Sequence, residues 1–135
     1  MNNVEKFRDK TGKLLAYKVG LGLPAGLQAY SADEDFVQVL SWNYGEGKML
    51  QSHIHIESPR IAARTQEAII VLSGRLRANL YDEERQLLSS IVVGMHECMV
   101  FLAGGHGYEI LQEDTKVFEV KNGPYPGLNS DKVKF

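Results

Sequence analysis

The sequence has one cysteine, one tryptophan and four prolines in 135 residues. The single Cys98 excludes an internal disulfide, and four scattered histidines without cysteine pairs exclude a zinc finger. Apolar runs are short, and none approaches the ~18 residues that mark a membrane span. A dominant charge is also missing. Fifteen basic side chains stand against 17 acidic ones, a formal net charge of −2, which argues against a general nucleic-acid or membrane-surface binder. Residues 1–13 are charged and lack the apolar centre of a secretion signal, so the expected location is the cytoplasm. No helical period is sustained; only residues 4–10 and 32–36 look faintly helical. No repeat, low-complexity tract or boundary interrupts the chain, and the expectation is one domain over residues 1–135.

What is present reads as a β protein. Thirteen glycines punctuate short stretches rich in Val, Ile, Phe, Tyr and Leu. Strands are expected at residues 14–19, 36–42, 48–56, 67–72, 75–81, 86–93, 98–102, 107–111 and 115–121. Several alternate by two, as where Leu76, Ala78 and Leu80 oppose Arg75, Arg77 and Asn79. Ser73-Gly74 and Asp82-Glu83-Glu84 suit hairpin ends. Short strands at this spacing predict a sandwich or barrel, not alternating helices and strands. Residues 122–127 hold two prolines and should cross the surface as a loop into a short basic tail.

The sharpest chemical signal is His53-Ile54-His55. Residues i and i+2 of a strand project from one face with Cα atoms ~7 Å apart, so both imidazoles can reach one ion at ~2.0–2.1 Å. Glu67 opens the apolar run Ala-Ile-Ile-Val-Leu-Ser before Gly74, and His106 follows the pair Gly104-Gly105. His-x-His, a Glu leading an apolar strand to a glycine, and a later His after a tight turn together resemble the cupin superfamily, over about residues 44–121. The resemblance implies an all-β cupin double-stranded β-helix, a jelly-roll barrel, with a strand arm at residues 1–35 and a loop and tail at 122–135. It implies His53, His55, Glu67 and His106 as ligands of one divalent transition metal; such donors suit Fe, Mn, Ni, Co or Zn without selecting one. Small cupins commonly dimerise, and the expected homodimer joins residues 14–19 to the partner's sheet.

Two residues compete with Glu67. Glu57 shares the face of His53 and His55, but lies ~13 Å from His53 along the strand, whereas Glu67 on a neighbouring strand comes within ~5 Å. Gln66 points to the opposite face, and a register shift of one residue would exchange the two. Tyr108, two residues beyond His106, is the candidate catalytic hydroxyl, and Gln51, two before His53, a candidate substrate contact. Within the long stretch between His55 and Glu67, Arg60 and Arg64 suit a carboxylate or phosphate on the incoming molecule. His96 reads as an exposed turn residue and Cys98 as a small buried hydrophobe. Glu119 and Lys121 share a face of the last strand.

The expected function is metal-assisted chemistry of oxygenase, isomerase or epimerase type on a small oxygen-rich, anionic acid or sugar. The alternative is a barrel that binds a small molecule without converting it. A metal-free sugar-processing barrel using His–Asp/Glu dyads is the third reading, less attractive because no Asp lies in the motif strands.

Overall fold

Strand alternation decides the layers of this protein. The computed structural model describes residues 3–135. Its elements are β1 (Val4–Arg8), β2 (Leu14–Val19), β3 (Gly26–Ala29), β4 (Leu40–Asn43), β5 (Glu67–Ser73), β6 (Arg75–Tyr81), β7 (Leu87–Gly94), β8 (Cys98–Phe101), β9 (Gly105–Ile110), β10 (Lys116–Lys121) and the short helix α1 (Leu128–Asp131). They form three antiparallel sheets in the orders β1-β2-β8-β5-β10, β7-β6-β9 and β3-β4. The all-β expectation holds, but none of the three sheets closes into a barrel among the described residues.

The five-stranded sheet buries both faces. On one, Ile69, Val71, Met99 and Phe101 meet Leu76, Ala78, Leu80, Ile91 and Val93 of the three-stranded sheet. On the other, Tyr17, Val19, Ala68, Val100 and Leu102 lie under Val37, with Tyr30 and Val39 at the rim. Leu15, Val71, Leu80 and Met99 are fully buried. Truncating any of them to alanine should cost about 2–5 kcal/mol through lost transfer energy and the cavity left behind. Gln66 fastens the second layer. Its Oε1 accepts from the backbone N–H groups of Phe36 and Val37 at 2.7 and 3.2 Å, and its own N–H donates to Asn122 Oδ1 at 2.7 Å.

Three expectations need correction. Residues 48–56 form no strand: after β4 pairs with β3, the chain runs irregularly through 49–62, with Ile54 and Ile56 92% and 87% exposed. Residues 4–8, in the expected strand arm, do form a strand, because β2 supplies hydrogen-bonding partners and Phe7 packs against the core. Residues 14–19 cannot join another chain's sheet edge, since β2 lies between β1 and β8. Gly74 is a corner between two sheets and not a hairpin turn. Its φ is +73°, and a Cβ there would lie 2.8 Å from the Thr115 Cα.

Candidate acid–base site

Cross-strand register brings the polar cluster together. Directly paired residues of antiparallel strands project to the same face. Glu67 is paired with Phe101 on β8 and with Lys121 on β10, on the face that Ile69 and Val71 bury. On the facing sheet, His106 pairs with Leu80 and Tyr108 with Ala78, so both rings point inward with that strand's buried residues. The two sets meet between the two sheets. His106 Nε2 lies 3.2 Å from Glu67 Oε1, and the Tyr108 hydroxyl donates to that same oxygen at 2.7 Å. Phe101 stacks on the His106 ring at 4.2 Å between centroids, 21° from parallel, which holds the imidazole flat against the floor.

Burial opposes ionisation of Glu67, but hydrogen bonds with His106, Glu119 and Tyr108 outweigh it and hold the carboxyl down at about 2. An ionised carboxylate only accepts, so His106 Nε2 is the donor of this pair. Glu119 shifts the other way: its bond to Glu67, then burial, keep its carboxyl above the usual range. Burial and then the neighbouring Glu67 charge push the Tyr108 phenol far above its ordinary value, so it remains a donor.

The cluster forms part of the wall of a cavity of about 640 Å³, a size suited to a small organic molecule. Residues 131–135 line it as well, with Phe135 edge-on to Tyr81 at 5.1 Å. Asp131 is anchored to Thr65 by a hydrogen bond.

Of the residues expected from sequence, the fold unites Glu67, His106 and Tyr108, and places Arg64 on the cavity wall. Gln51, His53, His55 and Arg60 lie in the exposed segment and do not line the cavity, and neither does Glu57. Glu57 and Arg60 instead edge a separate shallow depression with Ser58 and Pro59. The rings of His53 and His55 stay together, 4.9 Å apart. As placed, the four expected ligands do not fit a single ion: no three His, Cys, Asp or Glu side chains among the described residues converge as a metal requires. Gln66 faces away from the cavity into its backbone contacts, so the register that presents Glu67 is the one observed.

His96 sits exposed in the turn after β7, and burial pushes the Cys98 thiol up to about 11. Sequence reasoning missed Phe101, Thr65 and residues 131–135 as cavity residues. Phe101 differs from no other core aromatic in sequence, and the tail carries no motif. No protein-family model matches the chain, nor does any curated protein or solved structure.

Proposed function

We propose that the chain is a cupin-type protein whose cavity binds a small oxygen-rich molecule and moves protons on it, as an isomerase or epimerase does. The observation that carries this reading is the Glu67–His106–Tyr108 constellation on the wall of a ligand-sized cavity. Glu67 fixes the imidazole tautomer and stabilises the cation formed when the ring accepts a proton. His106 removes a proton from carbon beside a carbonyl, and the Tyr108 phenol or Glu119, whose carboxyl is raised, supplies one to the developing oxyanion or the adjacent carbon. One proton leaves and one returns, so no oxidant or reductant is consumed.

Incubation with aldoses, ketoses and 2-keto acids in deuterated water, followed by NMR, tests the reading. Wild type should incorporate deuterium at one carbon, and His106→Asn or Glu67→Gln should not. Saturable binding without exchange would favour the non-catalytic binding module and overturn the catalytic claim.

A second reading rests on the adjacent rings of His53 and His55. Should their exposed segment fold back over the cavity, those imidazoles with Glu67 and His106 would hold one divalent transition metal, which would supply a Lewis acid for substrate oxygens. Elemental analysis should then give close to one metal per chain, lost on replacing both histidines by alanine. Retention of full metal in that variant would refute the assignment. The same proposal takes the protein as a cytoplasmic homodimer joined at β1, an outer strand of the large sheet. A monomeric mass by light scattering would remove the dimer.

A further inference from the structure

The charges on the cavity wall do not balance pairwise. Its carboxylates are all engaged: Glu67 by His106 and Tyr108, Glu119 by Lys121 at 3.5 Å, and Asp131 by Thr65 and by Lys132 at 3.7 Å. Arg64 and Lys134 line the same cavity and have no carboxylate partner among the described residues. Arg64 is also held in place. Its Nε donates to the Leu102 carbonyl at 3.1 Å, and its own carbonyl accepts from Asn122 Nδ2 at 3.2 Å. That anchoring leaves the two terminal nitrogens of a planar fork, the geometry that meets two oxygens of one anion. Lys134 adds a point charge from the tail.

We propose that Arg64 and Lys134 form an oxyanion subsite, so that the molecule held in this cavity carries a phosphoryl or carboxylate group. The inference rests on the acid–base reading of the cavity and adds the substrate class. Placing the anionic group on these cations leaves the rest of the molecule facing His106 and Tyr108 on the same wall. Arg60, expected from sequence to share this task, has no part in it, because it lies in a separate depression.

The test is binding measured by NMR titration with glucose 1-phosphate, glucuronate and glucose. The first two should saturate, and glucose should bind at least about tenfold more weakly, since charge-assisted hydrogen bonds are the strong ones. Whichever of the two anions binds tighter identifies the natural group as phosphoryl or carboxylate. Lys134→Ala, at an exposed site without hydrogen bonds, should weaken anion binding severalfold, and the double variant with Arg64→Ala more. Raised salt should mimic both changes. Arg75→Ala, exposed and off the cavity, should change nothing. Glu67→Gln should keep anion binding while losing deuterium exchange, which separates failure of the subsite from failure of the acid–base reading. Anions that bind no better than glucose, or that bind the Lys134→Ala and double variants as they bind wild type, would overturn the proposal.

Discussion

Glu67 and His106 are 39 positions apart in sequence, and their side chains meet at 3.2 Å across two different sheets. Glu67 is carried by a strand whose other inward residues, Ile69 and Val71, are core, and His106 is paired across its sheet with the buried Leu80. A buried carboxylate in such a place needs partners, and the imidazole and the Tyr108 hydroxyl provide them.

That arrangement sets an acid limit. The Glu67 carboxyl lies at about 2 in the folded protein against an ordinary 4.5, so its contribution to stability is full above pH 4.5 and is lost as pH falls towards 2. Chemical denaturation at stepped pH should show the loss in that window, and Glu67→Gln should flatten it. Glu119 opposes the trend, since its carboxyl is raised.

Removing the Tyr108 hydroxyl takes away one of the donors that hold Glu67 ionised. Tyr108→Phe should raise the Glu67 carboxyl, readable by carbon-detected NMR titration. Deuterium exchange should fall by about 10²–10⁴, the usual worth of a positioned proton donor. An unchanged exchange rate would assign proton delivery to Glu119.

Gln66 and Tyr17 are both buried polar side chains with opposite expectations. Gln66→Leu strands two backbone donors, Phe36 N–H and Val37 N–H, and should cost about 2–3 kcal/mol in urea unfolding. The Tyr17 hydroxyl has no hydrogen-bond partner among the described residues, so Tyr17→Phe should change stability by less than about 1 kcal/mol.

Two glycines with similar backbone angles should separate strain from crowding. Gly12 and Gly104 have φ of +89° and +77°, but a Cβ at Gly12 meets nothing, whereas one at Gly104 falls 2.3 Å from the Tyr81 carbonyl oxygen. Gly12→Ala should cost about 1 kcal/mol, the strain alone. Gly104→Ala should cost clearly more, because the clash is with backbone, and thermal unfolding of both variants measures the difference.

Alternation by two was enough to place the second and sixth strands, residues 14–19 and 75–81, at their observed bounds. It put Glu67 and Gln66 on opposite faces, but with Ala68 to Leu72 all apolar and both faces of the sheet buried, only the packing decided that Glu67 faces the cavity. The inward turn of His106 and Tyr108 follows the same parity. What parity cannot give is which strand lies beside which. Residues 48–56 alternate well enough to read as a strand, but a strand exists only where another pairs with its backbone, and among the described residues none pairs with this segment. The histidine pair therefore lies outside on an exposed segment, while Lys132 to Phe135, which carry no pattern at all, line the cavity. Local periodicity sets the face of each residue in this chain; pairing between distant strands, decided by the packing of whole sheets, determines which faces meet.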